Sequence, residues 1–174
     1  VETSASNLIR VIPDFPKPGI IFKDITPLLA NADAFRGVCD QIAEHANEVE
    51  YIAGVEARGF IFAAAVAAIS NKGLIPIRKS GKLPGKTYSN SYELEYGKAT
   101  LELHADLIPA GGRVLLVDDV LATGGTAVAA LDLIKMAGLS PITIAFLLEI
   151  PALGGRSRIA KSHPGLKIQT ILAE

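Results

Sequence analysis

The sequence predicts an α/β protein built on a central, mostly parallel sheet flanked by helices. Three observations predict it. Short β-rich runs alternate with helix-like stretches along the chain, the order that builds parallel sheets with crossover helices. The runs Tyr51–Val55 and Arg113–Val117 are almost wholly apolar after their first residue, as buried strands are. No repeat, low-complexity tract or Gly/Ser linker divides the 174 residues, so residues 1–174 are expected to form a single domain.

Each element has its own reason. Ser4 to Ile12 reads as an N-terminal helix with Leu8, Ile9 and Ile12 on one face. Pro13 to Gly19 must be extended or turning, because three prolines fix φ and remove donors. Ile20–Phe22 follows as a short strand, and Asp33 to Val49 as a polar, amphipathic helix. After the strand Tyr51–Val55, Gly59 to Asn71 is apolar throughout and predicts a helix buried all round. Leu74–Ile77 is the next strand. Gly81–Gly85 is a loop leading to two arms, Thr87–Glu95 and Ala99–Leu103, joined by a Tyr96–Gly97 turn. The second arm alternates apolar and polar residues, as an antiparallel strand with one wet face should. A long hairpin projecting from the sheet is expected, with glycines at its turns that let it move. Arg113–Val117 is a central strand, Thr126 to Ala137 a helix, Pro141 to Leu148 a strand. Pro151 to His163 is loop and weak helix, and Leu166 to Leu172 the last strand.

Composition narrows the class. The chain is 49% hydrophobic and 20% charged, which excludes a disordered polymer. A net charge of −1 gives no reason to expect nucleic acid or an acidic membrane as partner. The longest apolar run, Gly59–Ile69, is far short of a membrane span and is flanked by Arg58 and Lys72. One cysteine, Cys39, cannot form an internal disulfide, so a cytoplasmic protein is expected. Val1–Ser6 lacks the basic start and apolar block of a secretory signal.

The chemistry is concentrated in Val114-Leu-Leu-Val-Asp118-Asp119-Val-Leu-Ala122-Thr123-Gly124-Gly125-Thr126. Four β-formers run into two acids, then into a small, hydroxyl-bearing, glycine-rich loop that opens a helix. Ala122, Thr123, Gly124, Gly125 and Thr126 would offer backbone N–H groups and two hydroxyls at a helix N-terminus, a ready site for a phosphate. No Lys follows the glycines, so this is not a Walker loop. The G-x-G-x-x-G spacing of dinucleotide folds is also missing. A terminal monophosphate is the better-sized ligand. Asp118 and Asp119, at the carboxyl end of their strand, can accept hydrogen bonds from the vicinal hydroxyls of a ribose. The stretch therefore reads as a site for a 5-phosphorylated ribose.

This stretch resembles the PRPP (5-phosphoribosyl-1-pyrophosphate) signature of type I phosphoribosyltransferases. Three further blocks resemble the adenine phosphoribosyltransferases in family order. Pro13–Leu28 looks like their N-terminal hood (here roughly 1–30), and Val55-Glu-Ala-Arg-Gly-Phe60 like their pyrophosphate loop. Arg78–Gly85 with Tyr92–Gly97 look like the two ends of their flexible catalytic loop (here roughly 80–104). The resemblance implies a type I phosphoribosyltransferase fold and the joining of adenine to PRPP in purine salvage, giving AMP and pyrophosphate. It implies pyrophosphate contacts from Ala57, Arg58, Arg78 and Lys82, and a cis peptide at Glu56–Ala57. Glu95 is the implied acid/base residue at adenine N9, with Tyr96 helping to close the lid. Ile21, Phe22, Lys23 and Ile150 would hold the adenine. Animal members carry Arg where this chain has Lys23, which keeps the charge without the planar fork. Asp118, Asp119, Arg58 and Glu95 make up the implied catalytic set. Mg²⁺ is the implied cofactor, carried on PRPP rather than bound directly by the protein, and a homodimer is the implied assembly. The alternatives are a phosphoribosyltransferase for another nucleobase and a non-catalytic PRPP-sensing regulator. The hood and the Glu95-Tyr96 pair argue against the first; the absence of a basic surplus or an added domain argues against the second.

Overall fold

A computed structural model of the chain describes residues 5–93 and 97–172. In chain order the elements are β1 (Arg10–Ile12), β2 (Phe22–Asp24), α1 (Thr26–Ala30), α2 (Ala32–Ala43), β3 (Tyr51–Val55), α3 (Arg58–Ser70), β4 (Gly73–Lys79), β5 (Thr87–Glu93), β6 (Lys98–His104), β7 (Arg113–Leu121), α4 (Gly125–Met136), β8 (Ser140–Glu149), α5 (Gly155–Ser162) and β9 (Lys167–Leu172). The main sheet runs β5-β6-β4-β3-β7-β8-β9. From β4 to β9 neighbouring strands are parallel, and the β5–β6 hairpin is added antiparallel at the β4 edge.

The sheet separates two apolar cores. Alternate residues of β7 feed each of them: Leu115 and Val117 face one, Val114 and Leu116 the other. The first core lies under α2 and α3 and includes Val38, Ile42, Phe62 and Val66. The second lies under α4 and α5 and includes Leu131, Ile134 and Ile159. β3 and β7 are adjacent in the sheet, yet the chain goes to one side after β3 and to the other after β7. The crevice at their carboxyl ends is therefore a topological switch point, where open α/β sheets place their sites.

Local signals explain two of the helix boundaries. Asn31 caps α2, its side chain accepting the Ala34 N–H at 3.0 Å. Asn71, at φ 53°, closes α3 in the left-handed conformation. No helix among the described residues is long and apolar enough to cross a membrane.

Five expectations are corrected. Arg10–Ile12, expected to be helical, is a strand paired antiparallel with Phe22–Asp24. The Arg10 guanidinium meets Asp24, with Nε at 2.9 Å. Thr26 and then Arg10 hold the Asp24 carboxyl down at about 2. The partner strand begins at Phe22 rather than Ile20, so Ile20 and Ile21 stay exposed. Helix α2 ends at Ala43 and is followed by a 3-10 turn, Glu44–Ala46, where Asn47 donates to the Glu44 carbonyl. Helix α3 is not buried all round. Phe62, Ala63, Val66 and Ala67 face the core, while Ile61, Ala64, Ala68 and Ile69 form an exposed stripe. The hairpin does not project. β6 continues the sheet through Arg78↔Glu102 and Lys79↔Leu101, and its Leu101 and Leu103 are buried in the second core. β5 lies over α4, where Asn90 Nδ2 donates to the Ala129 carbonyl at 3.2 Å.

Candidate active site

Three strand ends converge on one cavity of about 580 Å³. β3 ends in the Glu56–Ala57 bond, which is cis, and runs straight into α3 at Arg58. The Glu56 carboxylate accepts the Lys79 N–H at 2.9 Å and the Arg78 guanidinium at 3.3 and 3.4 Å. Those contacts, led by Lys79 N–H, hold its carboxyl below the ordinary value.

Arg58 links the cavity to the hood. Its Nε lies 2.6 Å from Asp119 Oδ2, and its Nη1 donates to the Lys23 carbonyl at 3.2 Å. Its guanidinium carbon sits 5.0 Å from the centre of the Phe22 ring, a cation–π contact. One side chain thus touches the hood strand and an acid at the end of β7. Phe22 is also packed edge-on against Phe15, ring centres 5.1 Å apart.

Asp118 and Asp119 lie near the carboxyl end of β7, which runs on to Leu121. Asp119 is buried, and its N–H donates to Asp118 Oδ1 at 2.9 Å. Burial first, then the charge of Asp119, raise the Asp118 carboxyl well above the carboxylate range. Helix α3 approaches this strand end very closely. A Cβ at Gly59 would lie 2.8 Å from Asp118 Oδ1 and 3.0 Å from the Val117 carbonyl oxygen.

Beyond the acids, Ala122 to Thr126 wrap the N-terminus of α4. Gly124 is left-handed at φ 79°, and the Gly124 carbonyl accepts the Val128 N–H at 3.0 Å. The earlier N–H groups have no intrahelical acceptor and are available to an anion. Helix α5 backs this loop. A Cβ at Gly155 would lie 2.3 Å from the Ala122 carbonyl oxygen, so the two backbones are in direct contact. The next residue, Arg156, is tied to Glu149 at 2.6 Å, to the Ile168 carbonyl at 3.0 Å and to Thr170 Oγ1 at 3.1 Å.

The cavity brings together Ala57, Arg58, Asp118, Asp119 and the loop residues Ala122, Thr123, Gly124, Gly125 and Thr126. Phe22 and Lys23 adjoin it through Arg58. Other predicted residues are placed elsewhere. Arg78 is folded onto Glu56, and Lys82, exposed, accepts Arg78 Nη1 at its carbonyl; neither lines the cavity. Ile150 follows β8 and donates its N–H to the Leu121 carbonyl, outside the cavity lining. Ile21 is 59% exposed. Glu95 and Tyr96 lie outside the described residues. Among the lining residues that the sequence does not assign to the site are Lys79 and Tyr92. Lys79 ends β4 beside the end of β3, so the carboxyl-edge rule could have found it. Tyr92 carried no signal of its own.

Comparison with known proteins matches residues 23–169 to the phosphoribosyl transferase domain family. An adenine phosphoribosyltransferase of Thermobifida fusca is 53% identical over 162 residues, covering 92% of each chain. The chain belongs to the adenine phosphoribosyltransferase family. Its fold is the type I phosphoribosyltransferase fold. The crystal structure of the Thermoanaerobacter pseudethanolicus adenine phosphoribosyltransferase superposes with TM-score 0.93 at 43% identity, over the whole of both chains. That of Saccharomyces cerevisiae, solved with adenine and an imino-altritol bisphosphate, gives TM-score 0.91 at 34% identity over 98% of each. Likeness to adenine phosphoribosyltransferases therefore spans hood, hairpin and phosphate loop together.

Proposed function

We propose that this cavity joins adenine to PRPP, releasing AMP and pyrophosphate in purine salvage. The observation that carries the reading is Arg58, which touches the hood strand at Phe22 and Lys23 and one of the two acids that suit a ribose. Base and sugar subsites are thereby held side by side, as transfer between them requires.

The 5-phosphate of PRPP sits on the N–H groups and hydroxyls of residues 122–126, and its ribose hydroxyls donate to Asp118 and Asp119. Adenine stacks on Phe22, and the backbone of residues 21–23 reads its edge. Adenine offers a donor at N6 and an acceptor at N1, the reverse of a 6-oxopurine, so a complementary backbone leaves hypoxanthine with unpaired polar groups. N9 attacks C1 from the face opposite the pyrophosphate. The C1–O bond breaks with its electron pair leaving on pyrophosphate, and the N9 proton passes to Glu95. Arg58 and backbone donors stabilise the departing charge, and Lys82, outside the cavity lining here, joins them when its loop closes.

Mg²⁺ fits this site as a cation carried on substrate oxygens. Asp118 and Asp119 both line the cavity, so two adjacent carboxyl groups face a cation carried there. When bound, the ion supplies charge neutralisation for the pyrophosphate.

The exposed stripe Ile61, Ala64, Ala68 and Ile69 of α3 is proposed to be covered by a second copy of the chain. Sedimentation is expected to give a dimer; a monomer alone at micromolar concentration overturns that assembly.

The test of the reaction is product formation from PRPP and Mg²⁺ with adenine, hypoxanthine, guanine and orotate in parallel. AMP from adenine alone is the expected result. Turnover of another base instead overturns the base pocket, and PRPP binding without any turnover makes the protein a sensor.

A further inference from the structure

Tyr92 lies in the wall of the cavity and has no part in the reaction outlined above. It sits on β5, half-buried against the second core. Its phenol oxygen is 3.1 Å from Thr126 Oγ1, the hydroxyl in the first turn of α4. Its ring passes 3.7 Å from the position a Cβ would take on Gly125. The contact is held from both sides. Asn90, two residues earlier, is fixed to the Ala129 carbonyl of α4 at 3.2 Å. Ser91 Oγ and Thr100 Oγ1 are hydrogen-bonded at 2.8 Å across the hairpin. The phenol therefore reaches the loop from a braced strand.

Proton counting gives this contact a use. A threonine hydroxyl has one proton to donate and turns freely to suit its partners. In the arrangement seen here Thr126 donates that proton to Tyr92. A phosphate dianion is an acceptor only, so Thr126 can serve it only by turning the proton away from Tyr92. The phenol still carries its own proton, and Thr126 Oγ1 still has a free lone pair. The pair reverses: Tyr92 O–H donates to Thr126 Oγ1, and Thr126 O–H donates to a phosphate oxygen. Charge-assisted bonds are the strong ones, and each bond in such a chain polarises the next.

We infer that Tyr92 is a positioning residue for the phosphate subsite, orienting the Thr126 hydroxyl toward the 5-phosphate of the sugar substrate. The inference rests on the phosphate reading of residues 122–126 proposed above. It also gives the hairpin a direct link to phosphate occupancy, three residues before Glu95 in the chain.

Tyr92→Phe keeps the ring and removes only the phenol oxygen. Titration calorimetry with ribose 5-phosphate is expected to show affinity about fivefold to tenfold weaker than wild type, the size of one hydrogen bond between neutral groups. The KM for PRPP should rise in step, with the KM for adenine within about twofold and the melting temperature unchanged. In a Thr126→Val background the same change should add nothing, because the hydroxyl it orients is gone. Wild-type affinity in Tyr92→Phe, a full additional loss in the Thr126→Val background, or a fall in melting temperature with affinity intact would each overturn the inference. Failure of the reaction reading is separable. Wild-type protein that binds ribose 5-phosphate but makes no AMP refutes the reaction and leaves the role of Tyr92 to the calorimetry.

Discussion

Gly155→Ala is expected to disable the phosphate loop while leaving the sheet folded. The added Cβ would lie 2.3 Å from the Ala122 carbonyl oxygen, 2.7 Å from Leu121 Cδ1 and 3.0 Å from the Gly124 nitrogen. Two of those atoms are backbone, so no side-chain rotation relieves the clash. From the other side, a Cβ on Gly124 would lie 2.8 Å from the Gly155 carbonyl oxygen. Helix α5 cannot retreat, because Arg156 is bonded to Glu149, Ile168 and Thr170 across β8 and β9. The loop has to move instead. Overpacking of this kind costs about 1–3 kcal/mol. For a domain of this size that is a fall in melting temperature of roughly 2–10 °C. The activity loss should be much larger. Donors displaced by an ångström lose a phosphate, and kcat/KM for PRPP should drop by about 100-fold or more. Steady-state kinetics beside a thermal melt separate the two. A normal PRPP dependence would show that the loop does not carry the phosphate.

Substitution of the two acids should give opposite results in stability. Asp119→Asn removes the charge that Arg58 meets at 2.6 Å. The loss of that partner frees the guanidinium that also touches Phe22 and Lys23. Turnover is expected to fall by about 1,000-fold, with stability changed by only about 1–2 kcal/mol, since Arg58 retains solvent. Equal losses in both would remove Asp119 from the site. Asp118→Asn should also lower turnover, yet raise the melting temperature near neutral pH. The native carboxyl keeps its proton well above 3.8, the value for an unstrained aspartate, because burial and Asp119 oppose its ionisation. Between 3.8 and that raised value the folded chain holds a proton the unfolded chain has lost. Stability contributed by this group therefore falls as pH rises through the window. Asparagine never ionises and escapes that loss. The gain in melting temperature should shrink toward pH 4 and vanish below it. A variant less stable than wild type at pH 7 would contradict the account of Asp118.

The frame of the molecule was legible because it depends on periodicity. Apolar runs gave β3 and the body of β7, and the glycine-rich loop marked the start of α4, but β7 runs on through both acids to Leu121, four residues past the expected Val117. What stayed hidden depends on partners distant in sequence. Arg10–Ile12 has helix-like spacing with Leu8 and Ile9, but pairing with Phe22–Asp24 and the Arg10–Asp24 contact make it a strand. Arg58 reads from sequence as a cation for pyrophosphate, and its contacts to Asp119 and the hood, distant in sequence, are visible only in the fold. The stripe of α3 looked like core because its residues are apolar, and only the packing shows which face the sheet covers. Lys79 lines the crevice while Arg78 and Lys82 do not, a distinction within a run of cations that sequence does not carry.

The two cores give the sheet the character of a partition wall. The hood hangs from one side, where Ile25 and Leu28 join the layer of α2 and α3. The phosphate loop and the hairpin hang from the other, through Leu101, Leu103 and Ala127. The crevice between β3 and β7 is where the two sides meet. In the reaction proposed here the base and the 5-phosphate sit on opposite halves of the molecule, and a complex of both substrates works as a rivet through the wall. Such a plan lets the two halves evolve at different speeds: one layer can be rebuilt for a new base while the other continues to hold the same sugar phosphate.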